Sequence, residues 1–334
     1  MKFRWSPFGS KKVYTLSNPK RVLTSIPIRN KTLLEIAPFD TEDAEKLCFA
    51  GVVKEMDIEQ QTDEKSILFV AKTDNYNYRA CLKKAIDECE TGEFEKLVVS
   101  RKVELKGLLN HIVVFNDLVL NNPNCFVYCF EFDDLILMGA TPERLLKIKD
   151  RECLSASLAG TMSSDSGMSI LNWGKKELKE QKYVTDYLYS IYSKYCSEVS
   201  TSGLTTKQNG PVCHLLTEVT GLLKTDSDQS SILEDIHPSP AVCGLPKNEA
   251  RYWLKNNEGY NREYYSGYIG IVNESESDYY VNLRCLKSDN DNTILYVGGG
   301  ITKDSKMDLE EKETEQKLGV LLNSIKKSHT FVNE

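Results

Sequence analysis

Apolar positions recur along this chain with two different periods, and the periods are segregated. Within residues 175 to 198, Val184, Tyr187, Leu188, Ile191, Tyr192 and Tyr195 fall on one face of a helix. Residues 76 to 91 place Tyr78, Cys81, Leu82, Ala85, Ile86 and Cys89 in the same way, and residues 308 to 327 place Leu318, Leu321, Leu322 and Ile325. Further helices are expected at 110 to 121 and around 247 to 256. The segments KLVVSRKVEL, CFVYCFEFDD, LILMGAT, ERLLKIKD, SGYIGIVN, DYYVNLRCLK and TILYVGGGIT instead alternate, are rich in β-branched and aromatic residues, and are separated by Asp, Asn, Gly or Ser turns. The helices interrupt these strands too irregularly for a βαβ repeat, so the pattern predicts an α+β fold around a large, mostly antiparallel sheet. The first 75 residues are less legible: LLEIAPF and SILFVAK read as strands, and DTEDAEKLCFAGVVKEMD as a loop and short helix. No repeat, low-complexity block or Pro/Gly/Ser linker divides residues 1–334, which predicts a single domain.

Two charged patterns stand out against this background. Residues 308 to 315 carry five carboxylates and lead into the apolar stripe of the last helix. Acids in a first turn complement the helix dipole, and such a run is ordinarily a solvated face. At about 100° per residue, however, Glu310, Glu313 and Lys317 form a second stripe on the flank of the buried one. Two carboxylates beside a core edge can share one cation. The buried face of the 175 to 198 helix, extended one turn back from Val184, reaches Glu180, which must be paired, protonated or bound to a cation unless it escapes to water at the helix start. The three together are a candidate hard-oxygen ligand set for Mg²⁺.

Composition narrows the partners. The net charge of −7 and pI near 5.4 argue against surfaces built for nucleic acid or anionic lipid and favour a small-molecule partner. The ten cysteines include no CxxC and no histidine at zinc-ligand spacing, which fits a reduced compartment. Cys125 and Cys129 share one face of a strand, with no role to assign. No run approaches 18 apolar residues, and MKFRWSPFGSKKVYTLSNP lacks an apolar signal core, so a soluble cytoplasmic protein is expected. The lack of an extended apolar surface stripe predicts a monomer.

Ten segments, in order, carry a family resemblance: EKLVVSR, ATPERLL, SASLAGT, the KEQKYV turn, CHLLTEVTG, HPSPAVCGLP, REYYSGYIGIVN, YYVNLRCLK, LYVGGGIT and EEKETEQKL. They cover residues 94 to 322 and resemble the chorismate-utilising enzymes, the group that includes anthranilate, aminodeoxychorismate, salicylate and isochorismate synthases. The resemblance implies a β-sheet sandwich flanked by helices, with a catalytic part over 94–327 and residues 1–90 as a short, divergent part of the same domain. It assigns Glu180, Glu310 and Glu313 to Mg²⁺. Lys96, otherwise an exposed strand-end lysine, becomes the general base for water, where ammonia-using relatives carry glutamine. Glu143, which could merely pair with Arg144, becomes the general acid for the departing C4 hydroxyl of chorismate. Arg284, Gly298, Gly299, Gly300 and Lys317 become contacts for substrate carboxylates, His214 lies near the substrate ring, and Gly160 and Thr161 line the same pocket. From the residues alone, Arg284 could equally face a protein carboxylate, the glycines could form a bulge, and His214 could be a core histidine.

Ala159 in SLAGT stands where aminodeoxychorismate synthases carry an attacking lysine, and no glutamine amidotransferase domain or GxCxG-type turn is present. HPSPAVCGLP and GYIG resemble the isochorismate branch. The resemblance therefore implies an Mg²⁺-dependent isochorismate synthase for menaquinone or siderophore synthesis. A salicylate synthase is its nearest alternative, and a non-catalytic chorismate-binding paralogue a third.

Overall fold

A computed structural model describes the whole chain apart from residues 59–65, 71–74, 164–168, 210–211, 290 and 334. Six α-helices are present among the described residues: α1 (Asn75–Thr91), α2 (His111–Asn121), α3 (Lys175–Tyr195), α4 (Gln229–Ile236), α5 (Lys247–Asn257) and α6 (Met307–Ser328). Five lie where the periodicity predicts them. The short α4 was not foreseen; Asp228 starts it by accepting from the Ser230 N–H.

The strands form one hydrogen-bonded network of nineteen among the described residues. All pairings are antiparallel except that of His329–Asn333 with Ser66–Val70. The network has two halves. One runs outward from Val13–Arg21 through Leu47–Met56, Thr32–Ala37, Tyr268–Val272, Glu276–Val281 and Arg144–Lys149 to the long hairpin of Glu152–Ser163 and Val212–Leu223. The other runs from Phe126–Phe132 through Leu135–Thr141, Cys285–Ser288 and Asn292–Ile301 to Lys96–Lys106. The first strand, Lys2–Ser6, joins them by pairing with both Val13–Arg21 and Phe126–Phe132.

An aromatic-rich core fastens the halves face to face. Leu34, Ile36 and Phe49 come from one, Phe126, Tyr128 and Phe130 from the other, with Phe3 and Trp5 between them. Burying side chains of this size contributes about 1.5–3 kcal/mol each. Outside this layer, α3 covers the long hairpin through Val184, Leu188, Ile191 and Tyr192, and α2 and α6 cover the other half through Leu118, Leu318, Leu321 and Ile325.

The segment DTEDAEKLCFAGVVKEMD departs from the loop and helix expected of it. Leu47–Met56 is a strand, buried at residues 47–51 and exposed from Val52 to Glu55. Its central placement between Val13–Arg21 and Thr32–Ala37 buries a continuous run at one end, and this hides the alternation that marks a strand. SILFVAK forms the expected strand over Ser66–Val70, and its last two residues lie outside the described ones. Among the described residues no helix is long and apolar enough to cross a membrane.

Candidate active site

The strand Lys96–Lys106 starts beneath the cleft between the two halves, and its first side chain points into protein. Lys96 is fully buried, not an exposed strand-end lysine. Its neighbour in the sheet, Asn292–Ile301, brings Gly298, Gly299 and Gly300 opposite Ser100, Val99 and Val98 in unbroken register, so the glycines are not a bulge. They give room instead. A Cβ at Gly300 would collide with the Glu180 carboxylate and stand 2.9 Å from Lys96 Cε; one at Gly298 would stand 2.8 Å from the Tyr265 hydroxyl. The Cys285–Ser288 strand stops pairing at Tyr296, which leaves the other edge of the glycine run free for a ligand. Lys317 of α6 donates to the Gly298 carbonyl there at 3.1 Å.

The cleft holds about 730 Å³ of space, part of it open to solvent. Glu143, Gly160, Thr161, Glu180, His214, Arg284, the three glycines and Lys317 all line it. Lys96 lies immediately behind Glu180, with Nζ 2.8 Å from Oε1. The contact is an ion pair, and Nζ has no directed hydrogen-bond acceptor among the described residues. Ala159, Val242 and Leu283 add apolar wall.

Glu143 sits in the turn between Leu135–Thr141 and Arg144–Lys149, where its side chain is buried. Arg144 does not pair with it: Nε and Nη2 clasp the Asp278 carboxylate at 2.8 and 3.2 Å. Burial pushes the Glu143 carboxyl up to about 8, against the opposing pull of Lys96, Lys317 and Arg284. At neutral pH it therefore carries a proton.

His214 and Arg284 form one unit. His214 Nδ1 lies 2.8 Å from the Gly160 carbonyl, an acceptor only, so this nitrogen carries the hydrogen. Nε2 is left as the acceptor for the Arg284 Nη2 donor at 2.6 Å. Burial, reinforced by the Arg284 and Lys317 charges, holds His214 neutral, well below the usual imidazole range. Thr161 Oγ1 stands 3.5 Å from the same Nδ1. Gly160 sits at φ +68°, which glycine adopts without strain, and a Cβ there would press to 3.0 Å on Glu177 Cβ. Arg284 itself has φ 46°, a strained backbone that aims its guanidinium into the cleft.

Glu180 of α3 lines the cleft, Glu310 and Glu313 of α6 do not, and the three carboxylates do not converge on one point. Each is drawn to its own ammonium: Glu180 to Lys96, Glu313 to Lys317 at 2.7 Å, and Glu310 to Lys176. Among the described residues, no three acidic, histidine or cysteine side chains stand as a ready metal cage. The donor set nonetheless suits a hard divalent ion. Burial raises Glu310, opposed by Lys176 and assisted by the like charge of Glu313, and its Oε2 is buried with no hydrogen-bond partner. Burial would raise Glu180 too, but the Lys96 and Lys176 charges outweigh it and hold this carboxyl below its ordinary value. A buried carboxylate oxygen without a partner on Glu310, with two further carboxylates as companions, fits Mg²⁺ better than zinc.

Lys176 escaped the sequence reading. It stands one turn before Glu180 on α3, and that spacing from a buried acid was the available signal.

The chain is 25% identical over 307 residues to isochorismate synthase MenF of Bacillus subtilis (strain 168), covering 85% of this chain and 64% of that protein. The match to the Haemophilus influenzae isochorismate synthase MenF covers 58% of that protein at 28% identity, so the chain spans about three fifths of these relatives' length. Its fold matches the structure of MenF, the menaquinone-specific isochorismate synthase from Escherichia coli, with TM-score 0.82 and 18% identity, over 97% of this chain and 88% of that one. Anthranilate synthase component I from Streptococcus pneumoniae TIGR4 superposes with TM-score 0.76 and 18% identity, over 96% and 92% of the two chains. The pattern that defines the chorismate binding enzymes matches residues 23–326, and the chain belongs to that family.

Proposed function

We propose that the protein is an isochorismate synthase, converting chorismate to isochorismate by attack of water at C2 and loss of the C4 hydroxyl. The observation that carries the reading is the burial of a protonated carboxyl, Glu143, and a lysine, Lys96, at one cleft. A buried acid that keeps its proton to about pH 8 is the group needed to protonate a departing hydroxyl. Lys96 acts once it has given up its own proton: the neutral amine takes the proton of the attacking water while Glu143 gives its proton to the departing C4 hydroxyl, so the oxygen gained at C2 and the water lost from C4 balance. Arg284, fixed by neutral His214, holds one substrate carboxylate by paired donors, and Lys317 with the free edge of the glycine run meets the other. A Mg²⁺ held by Glu180, Glu310 and Glu313 would supply counter-charge for the ring carboxylate and draw electron density from the diene. Ala159 in the cleft wall leaves no nucleophilic amine at that position.

Incubating purified protein with chorismate and Mg²⁺, and resolving products by NMR, tests this. Isochorismate formation that stops on chelation is expected. Salicylate fluorescence would place the protein with the salicylate synthases instead, and an ammonia-dependent aromatic amine or an absence of turnover would overturn the proposal.

A further inference from the structure

Lys96, Lys317 and Arg284 have parts in the reaction just described; Lys176 has none. Its Nζ donates to Glu310 Oε1, and its side chain is mostly buried. Among the described residues it makes no other ion pair. Its ion-pair partner is Glu310, and Glu180 stands one turn further along α3. Glu180 is shared between it and Lys96, and Glu310 has no other cation within pairing distance among the described residues.

We infer that Lys176 is an internal counter-ion for the three carboxylates, and that a divalent cation binds by displacing it. The argument is electrostatic. Without a cation, three acids around a poorly hydrated pocket repel one another and lose hydration, so a tethered ammonium stabilises the metal-free fold. A divalent ion brought to the same oxygens meets a positive charge already there, and like charges at a few ångströms in a partly buried site oppose one another strongly. The lysine must swing away. It sits in the first turn of α3, which Gly174 leaves without a side-chain cap, and it retains some exposure, so solvent is within reach of its long stem. Metal affinity and metal-free stability are then set against each other by one residue. This rests on the metal assignment made under the proposed function.

The test is calorimetric titration of the whole protein with Mg²⁺, and with Mn²⁺ followed by electron paramagnetic resonance, for wild type, K176Q and K176R. K176Q should bind either ion about tenfold tighter or more, and should melt at a lower temperature than wild type in chelator. K176R keeps the charge and should stay near wild type in both measurements. Metal binding by wild type with unchanged or weaker affinity in K176Q would overturn the role of Lys176 while leaving the metal assignment intact. Failure of all three proteins to bind either ion would overturn the metal assignment, and this inference with it.

Discussion

Glu143 shows how burial sets chemistry at a single residue. It is surrounded by Lys96, Lys317 and Arg284, whose charges all favour its ionised form, yet loss of hydration outweighs them. Two consequences follow for a folded pKa near 8 against an ordinary 4.5. Turnover should fall as pH rises through about 8, because the acid loses its proton, and E143Q should lower kcat by about 10²–10⁴-fold while retaining chorismate binding. The raised pKa also makes a stability statement. The folded state holds this proton more tightly than the unfolded chain, so the contribution is fully present below about 4.5 and is lost as pH climbs through about 8. Glutamine cannot ionise. Across that window E143Q should therefore gain on wild type by about 1.4 kcal/mol per pH unit in urea denaturation, and parallel stability profiles would show Glu143 to be ionised in the fold. Sequence reasoning found this residue through its ATPERLL context and could not settle whether Arg144 neutralised it. Asp278, which does engage Arg144, lies 134 residues away, and only the strand pairing brings the two together.

At the scale of elements, periodicity located five of the helices because each presents one apolar stripe to the sheet. Leu47–Met56, buried along one end and exposed along the other, carries no such alternation and was missed. The same limit applies to the partners of the site helices. Wheels of α3 and α6 place Glu180, Glu310 and Glu313 beside buried faces, but they cannot reveal that an ammonium on α3 answers a carboxylate on α6. A second contact between elements holds Lys96 in place. Arg262 and Glu258 are both 2% exposed in their side chains, and Arg262 donates to the carbonyls of Val98 and Val242 as well as to Glu258. It ties the start of the Lys96–Lys106 strand to the 239–243 segment, and Glu258 in turn accepts from the Ser100 N–H at 2.7 Å. R262M leaves the buried Glu258 carboxylate without its cation and removes both backbone contacts, so a loss of about 3–5 kcal/mol is expected in chemical denaturation. A loss below about 1 kcal/mol would mean that the backbone network is held by the sheet alone.

The whole molecule places its chemistry on a seam. Glu180, Gly160 and His214 belong to one half of the strand network, and Lys96, the glycine run and α6 to the other. A ligand that fills the cleft must therefore bridge both halves, while the aromatic layer through Phe3, Trp5, Phe49 and Phe130 joins them independently of any ligand. If that layer is strong enough to make the halves one cooperative unit, heat should melt the protein in a single transition, although chains of this size often populate intermediates. Chorismate bound to E143Q, which should hold substrate without turning it over, then stabilises both halves together. At a free concentration near one hundred times its Kd, the gain is about 2.7 kcal/mol. Spread over the unfolding entropy of 334 residues, that amounts to a rise of about 4 °C in the midpoint of the one transition. Scanning calorimetry distinguishes this from the alternative. Two resolved transitions, of which ligand moves only one, would mean that the cleft belongs to a single half and that the seam is not where substrate binds.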